Sequence, residues 1–551
     1  MNERQKFVVL LIYLFYNCSK VNRCSFTQTK GMDVLNLVER VRQQAIEQPE
    51  KTAYYFMDKA TSYAELEGAI GKFAAGLKDL GVGKGDHVAL LLGNTPHFII
   101  SLYATMRLGA TAIPINPIYT PDEISYIIQN GDVKAVIALD LLLPLVEVGV
   151  QAFPQVEAYI VCETTPDVGE KVAALSDAAK EKTKLFTHVI GTAQGFAEPV
   201  VVDNDETAVI LYTSGTTGHP KGAMLTHGNL FSNARDVGDY LQMSAGDRVI
   251  TTLPVFHVFA LTVVVNAPLM KGATLLITPR FSPGEIFDLA AKYEATVFAG
   301  VPTMFNFLYQ FEEGDVKAFS NLRLAISGGA SLPVSLLHAF EEKFNVRVSE
   351  GYGLSEASPV TCFNPLDRER KAGSIGTSII NVENKVVDQY GDEVPNGEVG
   401  ELIVRGPNVM KGYYKLPEDS AFSIRNGWLY TGDLARRDDE GYFYIVDRKK
   451  DIIIVGGFNV YPREVEEVLY AHEAVVEAAV IGLPDENFGE KVHAYVVLKD
   501  KSVTEDQLKA YCAEHIVKYK VPAEIEILDE LPKNSTGKIL RRSLREGQPT
   551  A

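Results

Sequence analysis

Eleven residues, Tyr212-Thr-Ser-Gly-Thr-Thr-Gly-His-Pro-Lys-Gly222, gather four side-chain hydroxyls (Thr213, Ser214, Thr216, Thr217), three glycines and the Lys221 ammonium. Glycine lets backbone N–H groups approach an anion closely, hydroxyls donate further bonds, and a lysine adds a point charge, so such a run can cradle a phosphate. The apolar stretch Ala208–Leu211 just upstream reads as a buried strand that would present the loop at its end. A Gly/Ser/Thr cluster is more often an ordinary surface loop, and the order of these residues is what argues against that reading. The loop is not a Walker A motif, because Gly215 and Gly218 are three apart and Lys221 is followed by glycine. Gly81-Val-Gly83-Lys-Gly85 lacks the third glycine of a dinucleotide fingerprint, and Thr536-Gly-Lys538 is followed by Ile539 where a P-loop needs a hydroxyl.

Further clusters follow in order: Ser327-Gly-Gly-Ala330, Gly351-Tyr-Gly-Leu-Ser-Glu356, Gly400-Glu-Leu-Ile-Val-Arg-Gly406, Tyr430-Thr-Gly-Asp433, Asp447-Arg-Lys-Lys-Asp451 and Pro532-Lys-Asn-Ser-Thr-Gly-Lys538. Together with the 212–222 loop, this set resembles the acyl-adenylate-forming superfamily of acyl-CoA synthetases, peptide-synthetase adenylation domains and luciferase. The resemblance runs from about residue 40 to 546 and is nearest to bacterial long-chain fatty-acid–CoA ligases. It implies ATP, Mg²⁺ and coenzyme A as reactants and cofactors. Thr213, Ser214, Gly215, Thr216, Thr217 and Lys221 would hold the pyrophosphate end of ATP. Gly328, Gly329 and Ala330 would edge the adenine, Tyr352 would stack on it with Gly353 beside the nucleotide, and Ser355 would touch the α-phosphate. Glu356, with Thr217, would bind the metal, a hard cation usually held by one carboxylate plus phosphates. Asp433 would accept both ribose hydroxyls, since an ionised carboxylate has two acceptor oxygens, with Arg448 supporting the ribose or the hinge. Lys538 would bridge carboxylate and α-phosphate.

The chemistry that the resemblance implies has two steps. A carboxylate attacks the α-phosphorus of ATP and pyrophosphate leaves, then the CoA thiol displaces AMP. Neither step needs a protein nucleophile; both need alignment and charge neutralisation. The superfamily exposes its acyl-AMP by rotating a small C-terminal domain, which puts the pivot at Lys450 and Asp451 and sets Gly456 and Gly457 beside the pantetheine path. Some relatives carry a lysine where this chain has Ile454, a departure that weakens details borrowed from them. His257 resembles the residue beside the substrate carboxylate. The stretch after it, Val258-Phe-Ala-Leu-Thr-Val-Val-Val265, has no acidic residue to pair with a substrate ammonium, so a hydrophobic acid fits best. An aryl-acid CoA ligase, and an acyl-AMP ligase delivering to a carrier protein, would share nearly every motif. A non-enzymatic nucleotide-binding scaffold would have no use for Glu356, Asp433 and Lys538 together.

The elements that must position these groups alternate between helices and strands, which argues for an α/β protein: a large N-terminal domain of helix-covered parallel sheets and a small mobile α+β C-terminal domain. Ser62-Tyr-Ala-Glu65 is a capping box opening a helix with apolar positions Leu66, Ile70, Phe73, Leu77 and Leu80, ended by Gly81. Residues 87–92 and 112–115 read as strands, 95–108 as a helix, and 163–206 as an inserted loop or edge region. The expected division is 1–31 extension, 32–447 AMP-binding domain, 448–451 hinge and 452–551 small domain. In that small domain a helix starts near Pro462, strands lie near 475–481, 492–498 and 524–528, and a helix near 505–515. The net charge of −18 disfavours nucleic acid as a partner, and means that anionic ATP and CoA must be drawn by local cations. Five scattered cysteines suggest neither a disulfide framework nor a zinc site. Phe7–Tyr16 is apolar but too short to span a bilayer. It reads as an upstream extension of a cytoplasmic enzyme, with peripheral membrane contact as the alternative and homodimerisation open.

Overall fold

The structure, a computed structural model, describes residues 36–213, 220–533 and 539–546. Contacts divide the chain into two compact units. The first contains residues up to 299 with 354–360 and 406–422; the second contains 300–353, 361–405 and the chain from 423 onward.

In the first unit one sheet runs in the order Gly412–Tyr413, Lys221–Thr226, Thr207–Thr213, Thr111–Pro114, His87–Leu91, Val133–Leu139, Ala158–Cys162, Thr183–Leu185. From Thr207–Thr213 onward neighbours are parallel, and their near-continuous apolar residues are buried on both faces, as helix-covered parallel strands require. The two strands before it are antiparallel, so the described ends of the 212–222 run, Tyr212-Thr213 and Lys221-Gly222, lie on paired antiparallel strands. A second set of strands, Arg248–Thr251, Thr274–Ile277 and Thr52–Phe56, is parallel, with Lys59–Ser62 antiparallel on Thr52–Phe56.

The Ser62 hydroxyl and the Glu65 carboxylate make both bonds of the expected capping box at the start of the Tyr63–Asp79 helix. Leu66, Ile70, Phe73 and Leu77 are buried, and the helix ends before Gly81, whose φ is +87°. The 163–206 segment, expected as an inserted loop or edge region, supplies the edge strand of that first sheet and short helices beside it. Helices Val168–Ala173, Asp177–Lys182 and Phe186–Thr192 surround the Thr183–Leu185 edge strand. These elements are one to two turns long, too short to print a periodic apolar pattern. Phe186 still packs its ring 4.3 Å from that of Phe73.

In the second unit Leu324–Ser327 lies parallel to Val348–Gly353. An antiparallel sheet orders Glu383–Val387, Gly400–Arg405 and Trp428–Arg437, the last paired with Phe443–Arg448. Beyond Asp451 a small α+β body follows, with strands Ile453–Val455, Phe458–Val460, Val475–Asp485, Gly489–Leu498 and Glu524–Ile527 and helices Pro462–Tyr470 and Glu505–His515. Its core joins Ile453, Val465, Leu469, Val480, Val492 and Leu508. Among the described residues no helix is long and apolar enough to cross a membrane; Phe7–Tyr16 lies outside them.

The Tyr63–Asp79 and Phe186–Thr192 helices touch through Gly76, where an added Cβ would stand 2.7 Å from the Val189 carbonyl oxygen. Gly76→Ala gains about 1 kcal/mol of helix propensity but overpacks the contact at a cost of about 1–3 kcal/mol. We expect a lower thermal midpoint; a midpoint that stays or rises would mean that the 186–192 helix yields without cost.

Candidate active site

The phosphate-type hairpin and the Glu356 loop meet within the first unit. Thr213 and Lys221 face each other across the hairpin, where the Thr213 hydroxyl donates to the Lys221 carbonyl over 3.4 Å. Ser214, Gly215, Thr216 and Thr217 lie outside the described residues, as does Lys538. The Gly412–Tyr413 strand pairs with Ala223 and Met224, which sets the Tyr413 ring beside Lys221, its centroid 5.5 Å from Nζ. Lys221 is ion-paired with Asp419. The Tyr413 hydroxyl donates to Glu356 Oε1 over 2.8 Å, and the Met410 N–H donates to the Glu356 carbonyl, also over 2.8 Å. Asn408 holds the Ala357 carbonyl at 2.9 Å, and Asn233 holds Val360 through both its N–H and its carbonyl. Ser355 and Glu356 open the short helix Ser355–Ala357, and their backbone is thereby fixed from three sides. One carboxylate oriented by a phenol fits a hard cation shared with phosphate oxygens.

His257 caps the helix Val258–Ala260, its Nδ1 accepting the Phe259 N–H at 3.3 Å. A neutral imidazole accepting at Nδ1 carries its proton on Nε2. The chain then forms a π-helical turn, Leu261–Asn266, a rare conformation common at functional sites. Val258 to Val265 are all buried. Thr262 donates to the Ser358 carbonyl over 2.7 Å, tying this wall to the loop that carries Glu356. Asn94 places the approach to His257 by donating to the Leu253 carbonyl and accepting from the Val255 N–H, both at 2.9 Å.

The nucleoside-type residues assemble within the second unit. Gly328, Gly329 and Ala330 follow the Leu324–Ser327 strand, and Gly328 donates to the Gly300 carbonyl over 3.3 Å. Glu350, buried on the neighbouring strand, accepts the Leu332 N–H at 3.2 Å and so holds the far end of that loop. Burial raises its carboxyl to about 7. Tyr352 donates its phenol to Asp433 Oδ2 over 2.5 Å. Burial, with the Asp433 charge, pushes that phenol well above its usual range. Asp433 lies directly opposite Arg448 in the strand ladder, their side chains 3.6 Å apart. The Gly400–Gly406 motif explains itself here. Glu401 accepts the Gly432 N–H at 3.2 Å and the Lys449 ammonium at 3.0 Å, bracing the turn before Asp433. Gly353 ends its strand, exposed.

Gly456 and Gly457 form the two-residue turn of a hairpin, with φ of +57° and +87°. Paired positive φ values demand glycine in a turn of this type, so local geometry accounts for both residues whatever else they border. Tyr413, Asp419, Asn94 and Glu350 were not visible as site residues in the sequence. None carries a motif, and each reaches its partner through folding alone.

The AMP-binding enzyme family matches residues 41–414, and the AMP-binding enzyme C-terminal domain matches 464–538. The chain is 38% identical over 524 residues to a long-chain-fatty-acid–CoA ligase of Bacillus subtilis (strain 168), spanning 90% of this chain and 92% of that one. The solved structure of ATP-bound MatB from Rhodopseudomonas palustris superposes with a TM-score of 0.82 at 34% identity, over 93% of this chain and 98% of that one. The anthranilate CoA ligase AuaEII in complex with anthranoyl-AMP superposes with a TM-score of 0.85 at 28% identity, over 94% of this chain and 98% of that one. The fold and the ordered motifs are those of the adenylate-forming enzymes. Within that class, the chain belongs to the AMP-binding enzyme family.

Tyr352→Phe removes one hydrogen bond to a carboxylate while keeping the ring. AMP affinity should fall about tenfold, the magnitude of one charge-assisted bond, in a calorimetric titration. Unchanged affinity would take the Tyr352–Asp433 bond out of nucleotide recognition.

Proposed function

We propose that this chain is an ATP-dependent fatty-acid–CoA ligase, AMP-forming, acting in the cytoplasm. The observation that carries the acid assignment is the buried, carboxylate-free wall from Val258 to Val265 beside His257. A substrate ammonium would find no partner there, whereas each buried CH₂ of an alkyl chain contributes about 0.8 kcal/mol. The relative from Bacillus subtilis is named a long-chain-fatty-acid–CoA ligase, which supports the same substrate class.

In this reading Tyr352 and the Gly328–Ala330 loop receive the adenine, and Asp433, oriented by Tyr352 and Arg448, accepts the ribose diol. Lys221 exchanges Asp419 for the pyrophosphate end of ATP, with Thr213, Ser214, Thr216 and Thr217 donating alongside. Glu356, held by Tyr413, and Thr217 would hold Mg²⁺, which when bound neutralises phosphate charge. His257 stands beside the fatty-acid carboxylate. Lys538 bridges that carboxylate and the α-phosphate as acyl-AMP forms and pyrophosphate leaves. Residues 448–451 are the hinge about which the small domain turns to admit the CoA thiol, which attacks the acyl carbonyl and releases AMP.

AMP and pyrophosphate release, with and without CoA, over acids from acetate to oleate plus benzoate, tests the reading. CoA-dependent turnover peaking at medium or long alkyl chains is expected. A benzoate optimum would replace the acid, and acid-dependent ATP–pyrophosphate exchange without thioester would replace the acceptor by a carrier protein. Lys538→Ala should slow adenylation by about 10²–10³-fold, as loss of one transition-state donor does, and largely spare thioester formation from supplied acyl-AMP. Equal loss in both half-reactions would remove Lys538 from its assigned role.

A further inference from the structure

The backbone carbonyls of the loop that carries Glu356 are gripped one after another. The Met410 N–H donates to the Glu356 carbonyl, the Asn408 amide to those of Ala357 and Val360, and the Asn233 amide to Val360 again. These donors belong to the 408–410 segment and to the His227–Tyr240 helix. The Ser358 carbonyl has a donor of different origin, the Thr262 hydroxyl at 2.7 Å. Thr262 is the second residue of the π-helical turn Leu261–Asn266 and stands inside the apolar wall that follows His257. Thr262 and Ser358 are both fully buried, so bulk water cannot replace either partner.

Ser358 is a non-glycine residue at φ +69°, in the left-handed region that a β-carbon disfavours. Such a conformation persists where its surroundings over-determine it, and the grip on its carbonyl contributes to that. Ser358 also closes the Ser355–Ala357 turn, its N–H donating to the Ser355 carbonyl over 3.4 Å. The aim of Glu356, two residues earlier, therefore depends on where Ser358 is held. On the other side of the bond the wall is a widened turn, in which the Ala267 N–H reaches the Thr262 carbonyl five residues back. Thr251 donates to the Val264 carbonyl over 3.3 Å, and the Tyr103 phenol donates to Asn266 Oδ1 over 3.0 Å, so the end of the turn is tied to the core while Thr262 is tied to the Glu356 loop. We propose that Thr262 is a positioning residue that makes the setting of Glu356 depend on how the alkyl chain of the acid packs against the Val258–Val265 wall. Binding energy from a part of the substrate that does not react is then used to orient the reacting centre, and truncated substrates lose turnover as well as affinity. The proposal deepens the fatty-acid reading above and rests on it.

Amide exchange reads the link without turnover. In the parent protein holding α,β-methylene-ATP, which cannot release pyrophosphate, saturating palmitate should slow exchange at residues 355–358 about fivefold or more. Thr262→Val, which keeps the shape and removes the donor, should abolish that slowing, and Thr262→Ser, which keeps the donor, should retain it. Across butyrate, octanoate and palmitate, the turnover number in acid-dependent ATP–pyrophosphate exchange should rise with chain length in the parent and in Thr262→Ser. In Thr262→Val the rise from butyrate to palmitate should shrink about tenfold, the weight of one buried hydrogen bond, while KM still falls with chain length. Slowing at 355–358 that survives Thr262→Val, or a turnover profile that keeps its slope there, overturns the coupling. So does equal loss in Thr262→Val and Thr262→Ser, the mark of a purely structural role. A parent that turns over no alkyl acid overturns the fatty-acid reading and the coupling with it. A parent that turns them all over at one rate overturns the coupling alone.

Discussion

The backbone ladder between the Lys221–Thr226 strand and its two neighbours is the constraint on which the phosphate-type half of the site depends. On one side it fixes Thr213 opposite Lys221; on the other it places Tyr413 beside Ala223. From those two registers the rest follows. Tyr413 reaches Glu356, Lys221 reaches Asp419, and the loop carrying Glu356 is fastened by Asn233, Asn408 and Thr262. A one-residue slip in the outer pairing would turn Tyr413 to the opposite face of the sheet, away from Glu356.

A second regularity concerns charge. With a net charge of −18, the protein sets a carboxylate against cations that the proposed function uses: Asp419 against Lys221 and Asp433 against Arg448. Half-buried cations are cheaper to keep when paired. Under the proposed function, recognition of an anion at Lys221 would be an exchange of one negative partner, Asp419, for another. Such exchange favours a ligand bearing several negative oxygens over one that offers a single charge.

Much of this was legible in the chain. The capping box at Ser62–Glu65, the apolar spacing behind it and the strand–helix alternation were local signals, and local signals survive into structure. The motifs named the residues at Lys221, Tyr352, Glu356 and Asp433 because they sit in short runs with an unusual order. Tyr413, Asp419, Glu350 and Asn94 were hidden for the converse reason. Tyr413 lies 57 residues from Glu356 and Asp419 lies 198 from Lys221, and nothing within a few positions of either marks the pairing. In the 163–206 segment the edge position was legible and the helices were not, because they have only six or seven residues. Gly456-Gly457 could have been read as a hairpin turn from the dipeptide alone.

The interleaving of the two units bears on the order in which the protein can be made. The first unit draws on residues up to 299, then on 354–360, then on 406–422. A ribosome delivers these pieces in sequence, and domains generally fold as units as they emerge. The Lys221–Thr226 strand must therefore wait for Gly412–Tyr413, nearly two hundred residues later, before its outer edge is paired. Until then it is an open strand edge, a ready template for pairing with another chain. Synthesis thus carries a long interval in which the 207–226 hairpin exists without its third strand and presents an open edge.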